Sequence, residues 1–394
     1  MNLRRRTLTG IGIGLAAAGT TAAAKIVADR LARALQTAKE LDSLDTYEEE
    51  ASAQIVVLAD DGVPLHVEVD EPDVRPAGLA KDETVPTVVL CHGYCLSLRS
   101  WVFQRRALRA AGYRVVLWDQ RGHGLSGAGS TESYEIDQLG LDLHAVITAV
   151  APFGPLVLVG HSMGGMTLMS LAAHHPDLIR DRVIGVAFVA TSPGGISAVS
   201  WGLGKVLGKA VHRLGPFAIG QLAGRQGLVN SVRKAGREVE EYFVDLYSFA
   251  SPVPLSIVRL TADMIFKTRM EVISDFMETF DKHDKREALE QFSGVETLVI
   301  NGVQDMLTPP EHSEEIVKLI PGAEHVLVND AGHVIMLEHG DVVSEQLLAL
   351  IGRAERAAAV HLDQRDKPRV RRTITDLAKR RRMKALEGRR RSAS

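Results

Sequence analysis

The chain has 394 residues, of which 45% are hydrophobic and 24% are charged. These fractions are those of a soluble globular protein with one large domain and appendages. They exclude a disordered chain, a collagen-like chain and a polytopic membrane protein. Two cysteines, Cys91 and Cys95, are too few for a disulfide framework or a structural zinc site, so we interpret them as buried thiols at the end of a strand.

The net charge of −3 conceals an acidic body between two basic ends. Residues 1–40 carry seven Lys and Arg against two acids, and residues 364–394 carry 13 against three. The remaining residues, 41–363, carry 26 basic and 44 acidic side chains, a net charge of −18. A nucleic-acid-binding core needs a basic face, so this balance excludes one.

The N-terminal segment, residues 1–50, begins like an export signal. Three arginines at positions 4–6 precede a Gly/Ala-rich apolar run that ends at Ala24, and Arg5-Arg6-Thr7-Leu8 resembles a twin-arginine signal. An uncleaved membrane anchor is a second interpretation, and an amphipathic helix on a cytoplasmic protein is a third. We expect this segment to export or anchor the protein, with a charged linker before residue 51.

From residue 51 the pattern changes to short apolar runs separated by turn residues. Asp60-Asp61-Gly62 joins two such runs and predicts an antiparallel hairpin. Later runs are apolar throughout, as in parallel strands that are buried on both faces. These runs are residues 88–91, 115–118, 156–159 and 183–190, with helical patterns between them. We therefore predict an α/β fold with a mostly parallel central sheet flanked by helices.

A mostly helical section, residues 193–292, interrupts this alternation before strand-like runs return at residues 297–301 and 326–328. It is too long for a loop, so we predict a helical cap inserted between two parts of the core, residues 51–192 and 293–357. Because the insertion follows a parallel strand, the cap should lie over the carboxyl ends of the strands, where such sheets bind ligands.

The C-terminal residues 358–394 form a basic tail with three arginine-rich clusters. Charge alone would let such a tail bind anionic lipid or nucleic acid. The alternative, which we favour, is a solvated, partly helical tail without a dedicated partner. If the basic termini make a contact, we expect it to be with a membrane surface and not with a specific nucleic acid.

The most specific motif is Gly160-His161-Ser162-Met163-Gly164, a G-x-S-x-G sequence between an apolar strand and a helical run. A sharp strand-to-helix turn of this kind raises the serine hydroxyl above the sheet, and small residues at 160 and 164 let backbone segments approach each other. The N-terminus of the following helix favours negative charge that develops beside the serine. The motif therefore predicts that Ser162 is a nucleophile.

A serine nucleophile needs a base and a carboxylate that orients the base. Asp305 follows the predicted strand 297–301, and His333 follows the last predicted strand of the core. Both should lie with Ser162 at the carboxyl edge of the sheet. Other candidates in the same region are His325 and His339 for the base, and Asp330 for the acid.

These segments together resemble the α/β-hydrolase superfamily, in the serine-nucleophile esterase and lipase group with a helical cap. The resemblance covers about residues 54–357. Five segments carry it in the family's order: His92-Gly93-Tyr94, residues 118–126 (WDQRGHGLS), residues 160–165 (GHSMGG), residues 302–310 (GVQDMLTPP), and Ala331-Gly332-His333 with Glu338.

The resemblance implies a role for each matching residue. Ser162 would be the nucleophile, His333 the base and Asp305 its orienting acid. The backbone N–H groups of Tyr94 and Met163 would form the oxyanion hole. Neither a metal nor an organic cofactor is implied, and a serine at the elbow separates this chain from relatives that open epoxides or dehalogenate with an aspartate.

The implied activity is hydrolysis of carboxylic esters through an acyl-enzyme, on a small-molecule ester or acyl substrate held in an apolar site under the cap. Acyl transfer, carbon–carbon bond hydrolysis and peracid formation by the same serine are the alternatives within the family. A catalytically silent, ligand-binding fold is the alternative outside the enzymes. Relatives of that silent kind commonly lack a residue of the triad, whereas this sequence contains all three.

Overall fold

The structure, a computed structural model, describes residues 45–72, 74, 84–196, 244–359 and 370–375. The predicted N-terminal signal or anchor lies outside the described residues, as do residues 197–243 of the predicted cap and most of the basic tail. Within the described ranges, every helix is too short or too polar to span a bilayer.

Nine strands of the described chain form one sheet at the centre of the molecule. In space they follow the order β1-β2-β4-β3-β5-β6-β7-β8-β9. β1 pairs with β2 and β2 with β4 in antiparallel fashion, and the other neighbouring pairs are parallel. The strands are β1 (Ala53–Leu58), β2 (Pro64–Asp70), β3 (Thr87–Cys91), β4 (Arg114–Trp118), β5 (Leu156–His161), β6 (Val183–Val189), β7 (Glu296–Gly302), β8 (Glu324–Val328) and β9 (Val370–Ile374).

Helices cover both faces of this sheet. In chain order, the helices of the described residues include α1 (Val102–Ala110), α2 (Ile136–Val150), α3 (Met163–His174), α4 (Pro176–Arg182), α5 (Leu255–Lys267), α6 (Met270–Lys282), α7 (Pro310–Leu319), α8 (Ile335–Glu338) and α9 (Gly340–Ala359). The predicted α/β fold with a mostly parallel sheet is confirmed, and so is the hairpin formed by β1 and β2.

The hydrophobic residues of β3 show why its sequence does not alternate between apolar and polar positions. Val88 and Leu90 contact the core that α1 and α9 complete, whereas Val89 and Cys91 contact the core that α2 and α3 complete. Successive side chains of a strand point to opposite faces, so a strand covered by helices on both sides needs an apolar residue at each position. All four side chains are fully buried.

Strand β9 lies within residues 358–394, for which the sequence predicts a solvated, partly helical tail. It pairs in parallel with β8 at the edge of the sheet, and its side chains are mostly exposed. Arg371 donates to Glu314 (3.0 Å) and Arg372 to Gln346 (2.8 Å). The prediction of a solvated, partly helical tail is therefore wrong in conformation for these residues, which form a strand, although their side chains are mostly exposed. Polar contacts with distant parts of the chain hold them at the edge of the sheet.

The described part of the predicted cap is helical and lies in the chain between β6 and β7. It contains α5, α6 and the 3-10 turn Glu287–Phe292. Val272 and Phe276 of α6 pack in one cluster with Met163, the first residue of α3. This packing places α6 beside the turn that carries Ser162. The boundaries of the cap at residues 193 and 292 stay predictions.

Candidate active site

Ser162 occupies the sharp turn between β5 and α3. Its φ of +50° and ψ of −118° form a backbone conformation that is uncommon for a residue with a side chain. A Cβ atom at Gly164 would lie 2.2 Å from the carbonyl oxygen of Cys91, and one at Gly160 would lie 2.5 Å from the carbonyl oxygen of Gly164. The turn is therefore tight enough to leave no room for a side chain at either glycine.

Hydrogen bonds from neighbouring segments hold Ser162 in this conformation. Its N–H donates to the carbonyl of Val189 at the end of β6 (3.0 Å), and its carbonyl accepts from the Thr191 hydroxyl (2.7 Å) and from Gly165 N–H (2.8 Å). A strained backbone costs about 1–3 kcal/mol and persists where its surroundings fix it. The three hydrogen bonds therefore keep the backbone of Ser162 in its strained conformation.

The structure brings Ser162, His333 and Asp305 together at the carboxyl edge of the sheet. His333 Nε2 lies 3.0 Å from Ser162 Oγ, and His333 Nδ1 lies 2.9 Å from Asp305 Oδ2. All three residues are buried. His325 lies within β8, and His339 donates to the carbonyl of Asp330 (2.7 Å). The position next to Ser162 is occupied by His333 instead.

Asp305 is oriented by the loop that follows β7. Its Oδ1 accepts from the N–H groups of Leu307 and Thr308 (both 2.9 Å), and its Oδ2 accepts from the Thr308 hydroxyl (2.8 Å). These three donors fix the orientation of the carboxylate. The sequence reasoning had not given Thr308 this function. The signal for it was the spacing, since an aspartate with a hydroxyl residue three positions later is typical of a loop closed by side chain–backbone bonds.

His161, which precedes the serine, was also missed. It is buried, and its Nε2 donates to the carbonyl of His333 (3.0 Å). Burial lowers the pKa of His161 well below its usual range, with the neighbouring His333 acting in the same direction, so the ring is neutral. The residue before Ser162 therefore also holds the backbone of the loop that carries His333, called the histidine loop below.

The two chain segments that carry the amides implied for an oxyanion hole both lie next to Ser162. Met163 is the first residue of α3, so its N–H has no acceptor one turn earlier in the helix. A Cβ atom at Gly93 would lie 3.2 Å from Ser162 Cβ, so the chain that enters Tyr94 passes beside the serine. The hydroxyl of Tyr94 donates to the carbonyl of Ile273 in α6 (2.5 Å), which links this loop to the insertion.

A family model described as alpha/beta hydrolase fold matches residues 86–340. That range contains the Ser162 turn, Asp305 and His333. The chain belongs to the α/β-hydrolase fold family.

Relatives of this chain within the α/β-hydrolase family include lipases. An sn-1-specific diacylglycerol lipase from Mus musculus is 26% identical over 268 residues, which cover 66% of this chain and 81% of the relative. Lipase 3 from Moraxella sp. (strain TA144) is 26% identical over 242 residues, which cover 60% of this chain and 68% of the relative. The structure of an esterase from Exiguobacterium antarcticum superposes with a TM-score of 0.58 at 18% identity, over 76% of this chain and 100% of the other, and shows the shared fold.

Buried polar residues after β4 support the loops of this hydrolase fold. Arg121 is fully buried and donates to both carboxylate oxygens of Asp142 (2.6 Å each) and to Asp61 (2.7 and 3.2 Å). Asp119 accepts from the N–H groups of Leu98 and Leu125 (2.8 Å each). Burial raises the pKa of Asp119 to about 6.

Two buried histidines complete this support. His92 accepts the N–H of Gln120 (2.9 Å), and His123 accepts the N–H of Cys95 (3.1 Å), so each ring has one unprotonated nitrogen. Burial lowers the pKa of His92 to about 3 and that of His123 to about 4. Both rings therefore act as neutral acceptors for backbone N–H groups.

Both cysteines of the hydrolase are free and buried, as predicted. Burial raises the pKa of each thiol to about 12, so neither forms a thiolate near neutral pH. Cys91 accepts a hydrogen bond from the indole N–H of Trp118 (3.2 Å). Within the described ranges, no group of three His, Cys, Asp or Glu side chains is placed to hold a metal ion.

A cavity of about 330 Å³ lies away from Ser162, between β2, α1 and α5. Glu68 and Arg105 line it, and Arg105 donates to Glu68 (2.5 Å) and to both oxygens of Asp70 (2.6 and 2.8 Å). The residues that line it among those described do not include Ser162, Asp305 or His333. The charged wall of this cavity is thus an internally paired network, separate from the serine.

The buried histidine His123 gives a testable dependence of stability on pH. Its pKa is about 4 in the folded protein and about 6.5 in an unfolded chain, so only the unfolded chain takes up a proton as the pH falls through this window. His123 therefore lowers the unfolding free energy by about 1.4 kcal/mol for each pH unit below 6.5. As the pH falls from 6.5 to 5, the unfolding free energy of the wild type should therefore decrease by about 2 kcal/mol more than that of His123→Gln. Urea unfolding of both proteins at the two pH values measures this difference. Parallel curves would contradict the neutral state of His123.

The tight turn at Gly164 gives a second prediction for the folded state. Gly164→Ala places a methyl group against the Cys91 carbonyl, so the start of α3 must shift, and we expect unfolding free energy to fall by about 1–3 kcal/mol. Gly352→Ala in α9 is the matched control, because its Cβ meets only ordinary contacts and alanine is the better helix former, by up to about 1 kcal/mol. Urea unfolding of both variants measures the difference. Equal stability of the two would contradict the close approach.

Proposed function

We propose that this protein is a serine hydrolase that cleaves carboxylic esters through an acyl-enzyme. The observation that carries the proposal is the pair of contacts made by His333, at 3.0 Å from Ser162 Oγ and 2.9 Å from Asp305 Oδ2. A serine, an imidazole and a buried carboxylate in this arrangement can activate the hydroxyl and stabilise the imidazolium that forms. The diacylglycerol lipase and Lipase 3 relatives support an ester as the substrate.

In the proposed reaction, Ser162 Oγ attacks the ester carbonyl carbon while His333 Nε2 accepts the hydroxyl proton. The N–H groups of Tyr94 and Met163 donate to the oxyanion of the tetrahedral intermediate, and each such donor contributes about 100- to 1,000-fold in rate. When the intermediate collapses, the bond to the alcohol oxygen breaks and His333 returns the proton to that oxygen. Water, deprotonated by His333 Nε2, then attacks the acyl carbon. The bond between that carbon and Ser162 Oγ breaks, His333 returns the proton to Oγ, and the acid is released.

The environment of the two amides supports an apolar acyl group in the substrate. Phe276 and Phe280 of α6 pack edge-on against the ring of Tyr94, with centroids 6.2 and 5.1 Å away. Met163 belongs to the same apolar cluster. An alkyl chain that extends from the ester carbonyl towards α6 would contact these apolar side chains, and its transfer from water to them is favourable. Acyl transfer and carbon–carbon bond hydrolysis by the same serine are not favoured by the lipase relatives.

Two measurements test the proposal. Purified protein should hydrolyse p-nitrophenyl esters, and a series from acetate to palmitate measures the acyl length that the site accepts. An active-site-directed fluorophosphonate should label Ser162, which peptide mass spectrometry can locate. Folded protein that neither hydrolyses an ester of the series nor reacts with the fluorophosphonate would contradict the proposal and favour a silent ligand-binding fold.

We also propose that residues 1–24 deliver the protein to or across a membrane. The arginines at positions 4–6 and the apolar run that follows them support delivery. The segment lies outside the described residues, so export, anchoring and a cytoplasmic location stay the three interpretations of its sequence.

A further inference from the structure

The carboxylate of Glu338 lies behind the loop that carries His333. Glu338 is the last residue of the short helix α8, and its side chain is fully buried. The imidazole of His339 lies 3.8 Å away and donates to the carbonyl of Asp330. A buried carboxylate needs strong hydrogen-bond donors to offset the loss of its hydration. The donors around Glu338 therefore indicate which parts of the chain it holds together.

Those donors are three backbone N–H groups from two different parts of the chain. Oε2 accepts from Gly332, the residue before His333 (2.6 Å). Oε1 accepts from Ala250 (2.9 Å) and Ser251 (2.5 Å), which follow residues 197–243 of the insertion. One carboxylate therefore joins the histidine loop to the chain that returns from the insertion.

The two segments also contact each other directly. Val334 N–H donates to the carbonyl of Ser248 (2.9 Å). A Cβ atom at Gly332 would lie 2.7 Å from that same carbonyl oxygen, so the loop and the segment approach as closely as a glycine allows. A displacement of residues 248–251 would therefore displace the backbone on both sides of His333.

We propose that Glu338 is a positioning residue, which holds His333 at hydrogen-bond distance from Ser162 by fixing Gly332 to residues 250 and 251. The inference rests on the proposed function, in which His333 is the base. Glu338 takes no part in the proton transfers and acts on the reaction only through the placement of the imidazole. Its removal should lower kcat and leave KM nearly unchanged, because ester binding under the cap does not use this contact.

Glu338→Gln tests this role with little change of shape. A carboxylate offers two acceptor oxygens, whereas an amide offers one oxygen and an NH2 group that meets the remaining N–H donors. The amide NH2 group then faces either the N–H of Gly332 or the N–H groups of Ala250 and Ser251. Two donors cannot bond to each other, so the loop that carries His333 shifts. A misplacement of about 1 Å at a reacting group costs up to about 100-fold in rate. We expect kcat to fall 10- to 100-fold, with KM within threefold of wild type.

The matched control is Glu296→Gln. Glu296 is also a buried carboxylate, accepts from Arg353 (2.7 Å), and lies at the amino end of β7, whereas Asp305 follows the carboxyl end of that strand. Its substitution should leave kcat within twofold of wild type, whatever it does to thermal stability. If Glu338→Gln does not fold by circular dichroism, Glu338→Asp is assayed instead. The shorter side chain keeps the charge but does not span both sets of donors, and the same loss of kcat is expected.

The outcomes separate this inference from the proposed function. A wild-type protein that hydrolyses no ester and takes up no fluorophosphonate contradicts the proposed function. An active wild type with a folded Glu338→Gln (or Glu338→Asp) variant of unchanged kcat overturns the positioning role alone. A variant whose KM rises while kcat is retained also overturns it, because that result places Glu338 in substrate binding.

Discussion

Ser162→Ala should fold like the wild type and lose ester hydrolysis by at least about 10⁴-fold, because the proposed reaction has no other attacking atom. Alanine keeps the Cβ atom and the backbone contacts at the elbow, which are made by the N–H and carbonyl of residue 162 and not by the hydroxyl. The backbone strain at φ +50° is therefore the same in both proteins. Steady-state hydrolysis of a p-nitrophenyl ester, with labelling by a fluorophosphonate, measures the loss.

Ser344→Ala is the control for this substitution. Ser344 is a buried serine of α9 whose hydroxyl donates to the carbonyl of Gly340 (2.7 Å). The same hydroxyl accepts from Gln104 Nε2 (3.5 Å). We expect this variant to retain wild-type kcat, since neither lost hydrogen bond involves Ser162, His333 or Asp305. Near-normal turnover by Ser162→Ala would contradict an acyl-enzyme formed on Ser162, even if the wild type hydrolyses esters.

Asp305→Asn should lower kcat by about 10³- to 10⁴-fold while the protein remains folded. The N–H groups of Leu307 and Thr308 fix the oxygen of the new amide on their side, so its NH2 group faces His333. The imidazole must then present an unprotonated Nδ1 to that group and carry its proton on Nε2. A protonated Nε2 cannot accept the hydroxyl proton of Ser162. The substitution therefore removes the base without removing the imidazole.

Asp330→Asn is the control for this second prediction, because Asp330 is the alternative candidate for the orienting acid in the sequence. Its φ of +53° is a conformation that asparagine tolerates well, so the backbone should not change. We expect Asp330→Asn to retain kcat within a few-fold of wild type, measured as kcat and KM at pH 7.5. A large loss in Asp330→Asn together with a small loss in Asp305→Asn would assign the orienting acid to Asp330.

The order of strands and helices followed from hydrophobic patterning, since strands covered on both faces need an apolar residue at every position. The placement of Ser162, Asp305 and His333 followed from the same reasoning, because each lies in the turn or loop that follows a strand and parallel strands end at one edge. Strand β9 did not follow. Its residues Val370–Ile374 include two arginines, and their partners Glu314 and Gln346 are distant in sequence.

The sequence by itself thus determined the fold class and predicted the three side chains of the candidate site, because the predicted strand ends and the motifs shared with the family mark the same residues. The tertiary structure alone decided how the site is supported. The N–H group of Thr308 on Asp305, His161 on the carbonyl of His333, and Glu338 between Gly332 and Ala250 are polar contacts made through backbone groups. Such contacts leave no periodic signal, since any residue offers the same N–H and carbonyl, and only folding brings segments as distant as His161 and His333 within 3.0 Å.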